Sequence, residues 1–460
     1  MNSKIKEFPS KRNVKVFLMN INLQDTKVGA FDFELLRGIS YMRTGGAELG
    51  ECLETISKIQ DNDFDSWVKE WEHTAHRAEN EGLSYMAKGL EVAARNAFLR
   101  ASNYYRMAVF YSHYREERHA LLLEKSVECF HQAARLMSTP IECLDIDFEG
   151  VRLPAYFISG GGGTSKRPTL IALGGFDSTM EELYHFIGAT AVEYGWNCLI
   201  FEGPGQWNAL THNPGLVFRP DYEKPVKAVV DYALSRPDVD GDKLALIGYS
   251  LGGYLAPRAA AFDSRIKACI ANSLLYDFRE AAMSSFVPPS GDAAETSVDS
   301  MSSKSSPDTE ALRWFIGHAQ WTMGIEHPQE LFTAAEPYTL KGLEGRIKCP
   351  LLILFGEEEI AGVGRKFVSD TMNFVNKLDC DRTFYIFTKL EGAGSHCQMG
   401  GISLAQAVIF DWLNDTLCSD EPQAIEGKHE LVVPDELVEI IGRYHGDEMV
   451  AELKNIQSAK

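Results

Sequence analysis

A serine hydroxyl attacks a carbonyl only when a base takes its proton and backbone donors receive the developing charge; this chain carries a candidate for each part. Gly248-Tyr249-Ser250-Leu251-Gly252-Gly253 follows the apolar run Leu244 to Ile247 and opens the helical run Tyr254 to Ala261. Glycines flank the serine because a strand-to-helix turn of this sharpness has no room for side chains, and the turn holds Ser250 Oγ clear of the sheet as a nucleophile elbow. An acid and a histidine are expected downstream, in that order. The run Leu351 to Phe355 ends in Gly356-Glu357-Glu358-Glu359, and an acid three residues past such a glycine selects Glu359, with Glu358 and Asp277 as alternatives. His396, in the glycine-rich stretch Gly392-Ala393-Gly394-Ser395-His396-Cys397-Gln398, is the expected base, and Cys397 beside it is expected to pack. Leu173-Gly174-Gly175-Phe176-Asp177 offers bare amides after an early strand, so the oxyanion donors are expected at Phe176, or its neighbour Gly175, with Leu251 as partner. One such donor is worth about 3 to 4 kcal/mol. A carboxylate there would oppose an oxyanion, so Asp177 is assigned to holding the loop.

The elements that must position these residues are legible as short apolar or β-branched runs at Thr169 to Leu173, Asn197 to Phe201, Leu244 to Gly248, Ala268 to Ala271, Leu351 to Phe355 and Thr383 to Phe387. Helical or loop material separates them. That alternation predicts an α/β protein with a mostly parallel sheet covered on both faces, its chemistry at the carboxyl ends of the strands. From Asp65 to Met137 the pattern is helical, with Trp67 and Trp71 four apart, until the breaker Ser138-Thr139-Pro140. Leu144 to Phe148 and Val151 to Ile158 then read as a hairpin about Glu149-Gly150. The expected division is a helical cap domain over 1–140, the catalytic domain over 141–420 with an inserted lid at about 276–345, and a C-terminal extension over 421–460. Within the insert, 284–308 is rich in Ser, Asp and Pro and reads as a mobile loop. Trp314, Phe315 and Trp321 follow at helical spacing, fit either for core packing or for lining a substrate pocket. An amphipathic helix at Pro434 to Tyr444 is given a packing or oligomerisation role, a homodimer being the expected assembly. Gly160 to Gly163 is followed by Pro168 and a strand rather than a helix, which marks a connector and not a phosphate loop.

Composition narrows the partners. The 460 residues hold 45 Lys and Arg against 65 Asp and Glu, a net charge of -20 that repels nucleic acid and anionic membrane surfaces. No apolar run approaches the roughly 18 to 20 residues of a membrane span. The nine cysteines are scattered without paired C-x-x-C spacing, so reduced thiols, no structural metal and a cytoplasmic location are expected, and the N-terminus shows no secretory pattern. No dinucleotide fingerprint is present, and no cofactor is expected.

Taken together, Gly174-Gly175-Phe176-Asp177 with Glu181-Glu182, Glu202-Gly203-Pro204-Gly205-Gln206, the elbow and the Gly392 to Gln398 stretch resemble the FrsA-like α/β-hydrolases. That family includes a bacterial pseudooxynicotine C–C hydrolase and fungal hydrolases that shorten polyketide chains in pigment pathways. The helical stretch Ala94 to His113, with Leu99 to Arg106 at its centre, is similar to their N-terminal domain. The resemblance implies an α/β-hydrolase fold with a helical cap and a serine hydrolase acting on small carbonyl substrates, β-diketone-like polyketide chains among them. C–C or ester cleavage through an acyl-enzyme is the leading expectation. Acyl transfer to an alcohol, a general carboxylesterase and, last, a non-catalytic binding protein are the alternatives. Two departures stand out. Glu359 occupies a position where the family more often has Asp, and Trp207 replaces a usual glycine, which is expected to reshape the pocket.

Overall fold

Eight strands form one sheet in the computed structural model, which describes residues 30–161, 165–286, 307–419 and 433–458. They are β1 (Ile141–Phe148), β2 (Val151–Ile158), β3 (Arg167–Leu173), β4 (Asn197–Phe201), β5 (Val239–Tyr249), β6 (Ala268–Asn272), β7 (Leu351–Gly356) and β8 (Arg382–Phe387), in the order β1-β2-β4-β3-β5-β6-β7-β8. β1 and β2 make the expected hairpin, turning on Glu149 (φ 47) and Gly150 (φ 85). β2 runs antiparallel to β4, and from β4 to β8 every pairing is parallel. Side chains alternate between two cores: Ile171, Leu173 and Leu246 enter one, Leu170, Ala172, Ala245 and Ile247 the other. This two-sided burial is why the strands are continuously apolar instead of alternating. β5 begins five residues earlier than the apolar run, because its polar start Val239 to Lys243 is held by backbone pairing of Val239 with Arg167 and carries no hydrophobic signal.

Ahead of the sheet lie α1 (Ala30–Ile39), α2 (Phe64–Ala87), α3 (Glu91–Phe110) and α4 (Glu117–Ala134). Asp63 caps α2 by accepting the Ser66 amide at 3.0 Å. Trp67, Trp71, Ala75 and Ala78 then place a buried stripe against α3. α3 is sandwiched between α2 and α4, so from Ala101 to Phe110 it is buried all round. Small side chains at Ala94, Ala97, Ala101 and Ala108 allow that close approach.

After β5 comes α5 (Gly252–Ala260). The insert between β6 and β7 contains α6 (Phe278–Phe286) and α7 (Pro307–Thr322). Of the stretch expected to be mobile, 287–306 lie outside the described residues. β7 runs into α8 (Glu357–Gly362), then α9 (Arg365–Asn376), and α10 (Ile402–Leu417) follows β8. The C-terminal segment forms α11 (Asp435–His445) and α12 (Asp447–Ser458), packed against α8 and α9. Among the described residues, no helix is long and apolar enough to cross a membrane.

Candidate active site

The elbow is built by collision as much as by attraction. A side chain on Gly253 would come within 1.5 Å of the Ser273 carbonyl oxygen, and one on Gly248 within 2.0 Å of the Gly252 oxygen. Ser250 therefore sits at φ 57, a strained value for a residue with a side chain, at the junction of β5 and α5. Its amide donates to Asn272 O at 2.6 Å, which ties the turn to the end of β6.

His396 Nε2 stands 3.0 Å from Ser250 Oγ, and its Nδ1 stands 2.5 Å from Glu359 Oε1. The structure thus brings Ser250, His396 and Glu359 into one hydrogen-bonded chain. Glu359 is held as an acceptor by the Gly356 amide at 2.6 Å and by the Ser273 hydroxyl. The two alternative acids lie elsewhere. Glu358 accepts from Ser395 Oγ at 2.9 Å and is half exposed, and Asp277 caps α6 by accepting the Glu280 amide at 3.0 Å. Desolvation by surrounding protein pulls the His396 pKa down, but Cys397 and Glu359 push it up and prevail, leaving it well above the ordinary imidazole value. The histidine loop is itself strained: Cys397 and Gln398 both have positive φ, at 52 and 56. Asn272 Nδ2 donates to Gln398 Oε1 at 2.7 Å and pins it. Cys397 is buried, its sulfur 3.7 Å from Asn272 O and 3.5 Å from His396 Nε2.

The loop Gly174 to Asp177 lies directly on the elbow. A side chain on Gly175 would meet Ser250 Cβ at 2.7 Å and the Leu251 nitrogen at 2.8 Å. The Gly175 amide donates to Ser178 Oγ at 3.3 Å. The amides of Phe176 and Leu251 have no acceptor among the described residues. Two side chains that no motif pointed to clamp this loop. His318 of α7 sets its Nε2 2.8 Å from Phe176 O, and because burial pushes its pKa down to about 4 the neutral ring donates there. Arg37 of α1 donates to Asp177 Oδ1 and to Asp177 O, both at 3.3 Å, and forks onto Glu182 at 2.5 Å through Nε and Nη2. Glu34 at 2.9 Å completes the surroundings of Arg37. Only the structure joins these residues, because each comes from an element far away in the chain; Ser273, just past the carboxyl end of β6, is the one that its strand-end position could have flagged.

Ser250, Glu359 and His396 open into a cavity of about 490 Å³ with a mostly apolar lining that includes Phe176, Phe278 and Phe315. The lid aromatics divide: Phe315 lines the cavity, whereas Trp314 stacks on Phe110 and donates its Nε1 hydrogen to Phe110 O at 2.6 Å. Trp321 packs edge-on against Trp207 and His119. The expectation for Trp207 is corrected accordingly. It is buried beside Phe110, His119 and His318, joining the N-terminal helices to α7, and it does not line the cavity.

No family model matches the chain. Hydrolase acrC of Aspergillus aculeatus is 32% identical over 84% of this chain and 96% of its own length. Hydrolyase poxO of Penicillium oxalicum is 31% identical, covering 84% of this chain and 97% of its own. Among solved structures, 2,6-dihydroxy-pseudo-oxynicotine hydrolase superposes with a TM-score of 0.66 at 21% identity, over 86% of this chain and all 100% of that one. AbyA5 gives 0.53 at 18% identity, over 80% and 95%. The structural likenesses establish a shared fold, the relatives at this identity and coverage establish more, and the chain belongs to the α/β-hydrolase family that these fungal hydrolases represent.

Proposed function

We propose that the protein is a serine hydrolase that cleaves a C–C or ester bond of an apolar, polyketide-like carbonyl substrate through an acyl-enzyme on Ser250. The observation that carries this reading is the hydrogen-bond chain from Ser250 Oγ through His396 to Glu359 at the floor of an apolar cavity. Ser250 Oγ attacks the carbonyl carbon while His396 Nε2 takes its proton, and Glu359 holds the ring with Nδ1 protonated. The carbonyl oxygen, now anionic, meets the amides of Phe176 and Leu251. When the tetrahedral adduct collapses, an ester expels an alkoxide, whereas a β-diketone expels a carbon as its enolate. The imidazolium returns its proton to either leaving group. Water, deprotonated by the same imidazole, then releases the acid. In the same reading the helices before residue 140 form the cap, 141–420 the hydrolase domain, and an alcohol in place of water makes the protein an acyltransferase.

The test compares an ester and a β-diketone that share one acyl chain, each incubated in heavy-oxygen water. The reading predicts that the diketone yields a methyl ketone and a carboxylic acid bearing one heavy oxygen. Turnover of the ester with the diketone left intact would confine the protein to ester chemistry, and turnover of neither would overturn the reading.

A further inference from the structure

The cavity that Ser250 and His396 enter does not end within the sheet domain's own loops. Its lining includes Val363, then Val368 and Met372 of α9, and Leu437 of α11. Leu437 is 3% exposed. The next buried positions of the same helix, Ile440 and Ile441, enter the sheet core, so α11 is fixed against the body of the molecule.

Its far end is bonded to the turn that carries the acid. Arg443 Nη1 donates to Glu357 Oε1 at 2.9 Å, Tyr444 OH donates to the same oxygen at 3.0 Å, and His445 Nε2 donates to Ile360 O at 2.7 Å. Glu357 is itself buried, takes the Lys389 amide at 2.9 Å on its other oxygen, and stands two positions before Glu359. α11 therefore cannot shift outward without pulling on α8, and a rigid wall discriminates between ligands by volume where a mobile one would yield.

We infer that α11 is a fixed wall of an acyl-chain pocket and that Leu437 limits the size of apolar acyl group the enzyme accepts. The inference rests on Ser250 being the acylated nucleophile. An apolar pocket of this size grips a chain by burying it, and a group that overruns a fixed wall loses about tenfold or more per added carbon.

The experiment uses the full chain and a series of alkyl fluorophosphonates from ethyl to dodecyl. In each, Ser250 Oγ bonds to phosphorus, fluoride leaves, and His396 takes the serine proton. The readout is the second-order rate of labelling at Ser250 in wild type, Leu437→Trp and Leu437→Ala. The dodecyl-to-ethyl rate ratio is expected to fall at least about tenfold in Leu437→Trp, and the preferred chain to lengthen in Leu437→Ala. Should the bulky variant lose its fold by circular dichroism, the alanine variant decides alone. Labelling of Ser250 with one length profile in all folded variants overturns this inference and leaves the serine reading standing. Absence of labelling in wild type overturns the serine reading, and the inference with it.

Discussion

Ser250, His396 and Glu359 are supplied by three separate turns, and each was legible for a different reason. The elbow announces itself through glycines that steric crowding requires, His396 through a glycine-rich loop after the last strand, and Glu359 through its offset from Gly356. Glu358 and Glu359 cannot be told apart by type; direction separates them, one toward Ser395 and solvent, the other toward His396. Glu359→Gln is therefore predicted to lower kcat by about 10³ to 10⁴, whereas Glu358→Gln stays within about twofold, as steady-state rates would show. Equal losses at both positions would contradict the assignment. In the proposed reaction His396 acts as base only when neutral. Because the His396 pKa is raised, the free enzyme gains active base as pH rises, and the acid limb of kcat/KM is predicted to have its midpoint above 6.5. His318 left no trace in the sequence, since a histidine between Trp314 and Trp321 in a helical run reads as packing. His318→Phe keeps the ring but removes the N–H donated to Phe176 O. It is predicted to lower kcat about ten- to hundredfold with KM little changed, and a rise in KM alone would assign His318 to substrate binding instead.

At the scale of elements, the N-terminal helices were legible from tryptophan spacing and the strands from apolar runs. What holds one to the other was not. α1 falls before the clear helical periodicity, yet it carries the Arg37 that joins Glu34, Asp177 and Glu182 in a buried cluster. Such a cluster reads in sequence as scattered surface charge, because nothing in spacing marks residues 145 positions apart as partners. Removing the cation leaves carboxylates buried without it. Arg37→Met is predicted to cost about 3 to 5 kcal/mol in urea unfolding; a loss under about 1 kcal/mol would show the cluster to be dispensable. α11 shows the same limit. Its amphipathic pattern predicts a packed helix, but only the fold shows that one of its apolar residues reaches the cavity of the nucleophile.

For the whole molecule, the doubly covered sheet was legible because burial on both faces writes itself into composition, while buried polar chemistry did not. Glu202 is an instance. Desolvation, with the charge of Glu181 next to it, pushes its pKa up to about 8 from an ordinary 4.5. A group raised on folding stabilises the native state at low pH, and that contribution is lost progressively as pH climbs from about 4.5 to about 8. Glu182 runs the other way: burial raises it, but Arg37 and Arg106 outweigh burial and lower it, so its contribution is lost in acid. The urea midpoint is therefore predicted to decline as pH rises from about 4.5 to about 8, and salt, which screens the net charge of -20, should restore only part of the loss. A midpoint that is flat across that range would contradict the buried-proton account.

The central claim is covalent chemistry at one oxygen atom. Intact-mass spectrometry of wild type and Ser250→Ala, quenched during turnover of polyketide thioesters, β-diketones and simple esters, tests it most directly. The account predicts an adduct with the mass of the acyl half on wild type and none on Ser250→Ala. Turnover retained by Ser250→Ala, or an adduct mapped to another residue, would contradict it.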